Sequence, residues 1–330
     1  MHARPMRLLV LGGTRFVGRA VIAEAIKRGW NVTALHRGVT GGMPPDVTVL
    51  YADRADNAVL ASSLGTGTWD IVVDTWSGAP RVATAAAELL AERADQYCYI
   101  SSGSVYVWGT HVNETSLVVE GSANGQTDDY PALKRGAELG VLTSFPNALL
   151  ARPGLILGPY EDIGRLPWWL SRISRGGRVI APGRPERPLQ YVDVRDLAVW
   201  ALNGLASGLT GPVDVIGPSG HATTKQLLDA CIAATGSDAE LVWVSEDDLH
   251  AAGIQPWTQL PCWVPEQGQF AGFLEVDTCR AAATGLTCRP VADTVSDTWQ
   301  WLLRDGPPAQ RTDRDVHGLP PETEDALLSR

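Results

Sequence analysis

The sequence predicts an α/β chain, a doubly wound parallel sheet followed by a smaller C-terminal α/β domain. Three observations carry this. Residues 8–11 are a short apolar run of the kind shown by a strand covered on both faces. Gly12, Gly13 and Gly18 follow at once, and residues 20–26 read as a helix stopped at Gly29. Residues 32–35 are a second apolar strand. Strand, glycine turn, helix and strand within about 30 residues make a dinucleotide-binding unit of the Rossmann type. The glycines let backbone N–H groups approach a pyrophosphate, which also favours the positive end of the helix dipole. Gly12, Gly13, Thr14, Arg15, Phe16, Val17 and Gly18 are therefore candidate cofactor contacts.

Composition narrows the classes. The 330 residues are 45% hydrophobic, enough for one large core or two domains. Thirty-seven acids against 27 Lys and Arg give a net charge of −10, and no run of basic residues occurs, so no nucleic-acid partner is expected. Five cysteines, odd in number and without CxxC spacing, argue against a disulfide framework or a metal site and for a reducing cytoplasm. No secretory leader is expected ahead of the first strand. No apolar run approaches the roughly 20 residues of a membrane span.

The remaining elements follow in order. Residues 47–51 read as a third strand, ending at Asp53, which can cap an ordinary loop. Residues 71–74 are a strand, and Thr75 and Trp76 fall just beyond it, where open α/β sheets bind ligands. A helix over 81–93 leads to a strand over 97–100 and the segment SSGSVYVWG. In DDYPALK, the aspartates and Pro131 suit a helix N-terminus, and Tyr130 and Lys134, four apart, share a helix face. Residues 148–152 are a further strand. A helix over 197–205 and a strand over 213–216 return to the first domain, taken as 1–157 with 190–216 rejoining it. Residues 158–330 mainly build the second domain, with a helix over 223–234, a strand over 241–244, a loop-rich stretch holding Trp257, Trp263 and Phe270, and a closing helix over 290–303. Residues 305–330, proline-rich and charged, are expected to be a loose tail.

Taken together, GGTRFVG, the serine loop before Val105-Tyr106, the Tyr130-x-x-x-Lys134 pair and RPGLILGP resemble the extended short-chain dehydrogenase/reductase superfamily of NAD(P)-dependent epimerase/dehydratase-like proteins. Arg15, where a middle glycine is usual, resembles a divergent subgroup that includes reductases and chloroplast RNA-binding proteins. The resemblance covers about residues 6–303 and implies roles. Ser102 takes the place of the catalytic hydroxyl, with Ser101 and Ser104 as competing assignments. Tyr130 is the proton donor or acceptor, and Lys134 charges it and holds the nicotinamide ribose. Asp53, Thr75 and Pro153 join the cofactor contacts. A homodimer is the family habit. Leu155 stands where nucleotide-sugar enzymes carry Asn, and Gly103-Ser104 where dehydratases carry two acids, so the substrate is expected to be less polar than a nucleotide sugar. Trp76, Trp108 and Trp168 fall near the implied cleft, as cleft walls or as core. Arg187 matches a diphosphate-binding arginine, or pairs with Glu186 or Asp193.

The resulting expectation is an NADP(H)-dependent oxidoreductase acting on a carbonyl or alcohol carbon of a small molecule, with a nucleotide-sugar epimerase or a non-catalytic, RNA-binding relative as alternatives. NADP(H) is favoured because the end of the second strand lacks the acid that would bind a ribose 2′-hydroxyl; it carries His36 and Arg37 instead, with Arg15 nearby.

Overall fold

The computed structural model describes residues 4–109, 112–268, 272–312 and 314–329; Phe270 lies outside them. The first half alternates β1 (Arg7–Leu11), α1 (Phe16–Lys27), β2 (Asn31–His36), β3 (Thr48–Tyr51), α2 (Asn57–Leu64), β4 (Trp69–Asp74), α3 (Pro80–Leu90), β5 (Ala94–Ile100), α4 (Tyr130–Ser144) and β6 (Leu149–Ala151). The second runs β7 (Leu155–Leu157), α5 (Arg165–Ile173), β8 (Arg178–Pro182), β9 (Pro188–Leu189), β10 (Tyr191–Asp193), α6 (Val194–Ala206), β11 (Gly211–Val213), β12 (Ala222–Thr223), α7 (Thr224–Thr235), β13 (Glu240–Val244), α8 (Glu246–Ala251), α9 (Cys279–Ala283), α10 (Val291–Asp305) and α11 (Pro321–Leu328).

Seven parallel strands form one sheet in the order β11-β6-β5-β4-β1-β2-β3. Side chains alternate between its faces. Leu8 and Val10 of β1 join the core beneath α1 and α6, whereas Leu9 and Leu11 join the one beneath α3 and α4. Both faces are covered, which is why these strands read as continuous apolar runs. Strand order reverses between β1 and β4, opening a crevice at their carboxyl ends.

A separate core gathers around Trp169, α5, α7 and α10 with the parallel pair β8/β13. Helix α5 is absent from the expected elements. Its Pro167 sits in the first turn, where a missing N–H costs nothing. The expected strand over 213–216 pairs only over Gly211–Val213.

The tail is not loose. Helix α11 docks on β8: Glu324 accepts from Arg172 Nε at 2.6 Å and from the Ile180 N–H at 3.2 Å, and Leu319 and Leu327 enter the core. Charge and proline suggest disorder by composition. Here a buried carboxylate with a matched guanidinium and two leucines suffices to pin the chain.

Candidate active site

A cavity of about 830 Å³ opens at the carboxyl ends of β1, β4 and β5. At one end stands the glycine loop. Gly12 adopts φ +96°, and a Cβ on Gly18 would lie 1.9 Å from the Gly12 carbonyl oxygen, so only glycine lets α1 sit this close to β1. Thr75 Oγ1 donates to the carbonyls of Leu11 and Gly12, both at 3.1 Å, and holds the turn. Helix α1 begins at Arg15 with no side-chain cap and no acid in its first turn. Phe16, Val17 and Gly18 of that turn line the cavity, an arrangement that fits a pyrophosphate.

His36 and Arg37 border the same end. His36 is buried; its Nδ1 accepts the Gly38 N–H at 3.0 Å, and burial pushes its pKa down, so it stands neutral. Arg37 is exposed, and among the described residues no acid pairs with it. Arg15 reaches Asp162 at 3.4 Å, which also pairs with Arg311 at 3.4 Å, so a residue of the glycine loop is clasped to the C-terminal segment. Asp53 lines the cavity while accepting the Ala55 N–H at 3.0 Å, so it caps its own loop and still faces the site.

Ser102, Tyr130 and Lys134 line the opposite end. Tyr130 opens α4, where Asp129 caps the helix by accepting the Ala132 N–H at 3.2 Å. One turn on, the buried Lys134 Nζ donates to the Trp76 carbonyl at 2.7 Å, the Ile100 carbonyl at 2.7 Å and the Tyr99 hydroxyl at 3.2 Å. Burial pushes this ammonium down to about 7. Ser102 Oγ sits 3.0 Å from Ser104 Oγ and accepts the Ser104 N–H at 3.1 Å. Ser101 is buried and donates to Glu138 at 2.7 Å, which leaves Ser102 and Ser104 as the hydroxyls available to a ligand. Pro153 borders the cavity and accepts the Gly103 N–H at 2.9 Å.

Several wall residues went unsuspected. Arg54 makes a bidentate pair with Asp74, at 2.6 and 2.7 Å, and its guanidinium lies over Trp76 at 5.1 Å from the ring centroid. Arg152 binds Glu138 through two bonds of 2.8 Å and donates to the Tyr106 hydroxyl at 2.9 Å, which donates to Asp214 at 2.8 Å. Burial pushes the Asp214 carboxyl up to about 7. Trp108, named from the sequence as a cleft candidate, packs on Phe273 at 4.6 Å, and the unforeseen Phe273 on Trp257 at 5.1 Å, forming an aromatic wall. The C-terminal segment adds Arg311, Thr312, Arg314, Asp315 and His317, with Arg314 over the Tyr130 ring at 5.0 Å. Only chain reversal around the second core brings these residues here, and no local pattern announces them.

Two expected substrate contacts stand elsewhere. Trp168 is outside the cavity wall; it packs on Trp169 at 4.7 Å and against Gly318. Arg187 is also outside it and buried, 3.4 Å from Glu266 rather than paired with Glu186 or Asp193, the latter being held by Arg195 at 2.8 Å.

Residues 8–217 match the model of the NAD dependent epimerase/dehydratase family. The chain is similar to the chloroplast stem-loop binding protein of 41 kDa b of Arabidopsis thaliana, 26% identical over 70% of the chain, though it spans only 63% of that protein. It is 24% identical to the dTDP-6-deoxy-L-talose 4-dehydrogenase (NAD(P)(+)) of Kitasatospora kifunensis, covering 86% of the chain and 98% of the relative. It is 27% identical to the 2-alkyl-3-oxoalkanoate reductase of Stenotrophomonas maltophilia, covering 70% and 76%. Among solved structures, the Bordetella bronchiseptica enzyme WbmH in complex with NAD+ shares the fold, with a TM-score of 0.69 at 16% identity over 92% of this chain and all of that one. The chain therefore belongs to the NAD dependent epimerase/dehydratase family and is an NAD(P)-dependent enzyme of the extended short-chain dehydrogenase/reductase type.

Proposed function

We propose that this protein is an NADP(H)-dependent reductase or dehydrogenase acting on a carbonyl or alcohol carbon of a small molecule. The observation that carries the reading is the shared cavity: an uncapped glycine-loop helix at one end, and Ser102, Tyr130 and Lys134 at the other. A bound nicotinamide supplies or accepts the hydride. The chain supplies the rest. Tyr130 gives a proton to the forming alkoxide or takes one from an alcohol, and the Ser102 hydroxyl orients the substrate oxygen. Lys134 brings positive charge beside Tyr130. Its three N–H groups are already engaged, so a bond to the ribose hydroxyls would displace one partner, and the Tyr99 hydroxyl, the longest at 3.2 Å, would yield first.

Arg37 supports the cofactor preference, since an unpaired guanidinium at the end of β2 suits a 2′-phosphate where a carboxylate would repel it. Leu155 supports the substrate class: it lines the cavity with no polar group to offer a nucleotide sugar. The oxoalkanoate reductase among the relatives points the same way, whereas the talose dehydrogenase keeps a nucleotide-sugar substrate as the second reading. The test is NADPH oxidation across a panel of ketones and oxo acids, alongside thermal-shift titration with uridine- and thymidine-diphosphate sugars. Turnover with a small carbonyl compound and no shift with the sugars is expected. A large shift with any sugar, and no carbonyl reduction, would overturn the reading.

A further inference from the structure

The guanidiniums around this cavity differ in one respect. Arg54, Arg152, Arg165 and Arg311 each hold a carboxylate of the protein, namely Asp74, Glu138, Glu161 and Asp162. Arg314, like Arg37 at the glycine-loop end, has no such partner among the described residues. It lines the cavity, its Nε is buried without a hydrogen bond, and its guanidinium lies over the ring of Tyr130 at 5.0 Å. A half-buried guanidinium with a buried, unpartnered Nε gains a hydrogen bond and a counter-charge when an anion joins it. The same cavity also carries the aromatic wall of Trp108, Phe273 and Trp257, which offers apolar surface to a ligand.

We propose that Arg314 is the anchor for a carboxylate on the substrate, so that the enzyme takes compounds with an apolar body and one acid group close to the reacting carbon. This rests on the reading of Tyr130 as the residue at the reacting carbon. A carboxylate matches the planar fork of a guanidinium through two parallel hydrogen bonds. A phosphate dianion would call for a second unengaged cation here. The remaining candidate, Lys134, already serves three protein acceptors. The anchor comes from the C-terminal segment, which α11 ties down, so substrate recognition depends on a stretch beyond the region that matches the family.

The experiment uses the full chain loaded with NADPH and reads tryptophan fluorescence on titration with octanoate and with octanamide, which differ at the head group. The parent should bind octanoate about tenfold or more tightly than octanamide. Arg314→Met should equalise the two while leaving NADPH affinity as it was, and Arg314→Lys should keep a reduced preference for the acid. Equal affinities in the parent, binding of neither compound, or a preference that survives in Arg314→Met would each overturn the proposal. Turnover is read separately, with a β-oxo acid against its methyl ester. An acid preference in binding without reduction of either compound would sink the reductase reading and leave the anion site standing.

Discussion

The two ends of the cavity are built in opposite ways. The glycine-loop end comes mainly from one stretch, Gly12 to Thr40, closed by Thr75. The Tyr130 end is assembled from segments around residues 76, 102, 130, 152, 214, 257, 273 and 314. A contiguous site has its geometry set by local backbone rules. An assembled site inherits its geometry from how two cores pack. The first tolerates change elsewhere in the chain, and the second is exposed to it.

The sharpest way to separate the ends is Tyr130→Phe. It should lower turnover by about 10²–10⁴-fold and leave the NADPH dissociation constant nearly unchanged. Lys134→Ala should harm both, and near-normal turnover in Tyr130→Phe would end the assignment. Next in size is Glu324→Ala, which leaves Arg172 buried without its partner and the Ile180 N–H without an acceptor. A loss of about 3–5 kcal/mol is expected in urea unfolding, with limited proteolysis cutting the tail first. Arg37→Ala touches only the contiguous end: NADPH binding should weaken by about tenfold or more while NADH binding holds. Equal NADPH and NADH affinities in the parent would remove the cofactor preference altogether.

The smallest effect concerns pH. Asp214 has its carboxyl raised from 3.8 to about 7 by burial. Between these values the folded protein binds more protons here than the unfolded chain does, so this group's contribution to stability falls as pH rises through that window. Asp214→Asn should lose that component, so its melting temperature should drop less than the parent's on going from pH 4 to 7. Parallel curves for parent and variant would show that Asp214 is not the titrating group.

What could be foreseen divides along the same line. Gly12 and Gly18 announce their turn because a left-handed φ at the first and a 1.9 Å approach at the second leave no other residue type. Tyr130 and Lys134 are legible because one helical turn fixes their relation. Arg314 is illegible, since nothing near it in sequence indicates that it will lie over Tyr130. Glu324 and Arg172 are 152 positions apart, so neither charge looks destined for burial. For Trp168 and Arg187 the sequence leaves ligand contact open beside core packing or an ion pair, and the structure takes the second course for both, Arg187 with Glu266 as a partner no local pattern indicates.

The docking of α11 also sets an order of events during synthesis. Strands β1 to β6 emerge with their own helices, and domains generally fold as units from the N-terminus, so a cofactor cradle can form while the rest of the chain is still being made. The wall over Tyr130 is tied down only after α11 has emerged and Glu324 finds Arg172. A nascent or C-terminally clipped chain would thus hold nucleotide before it could select a substrate.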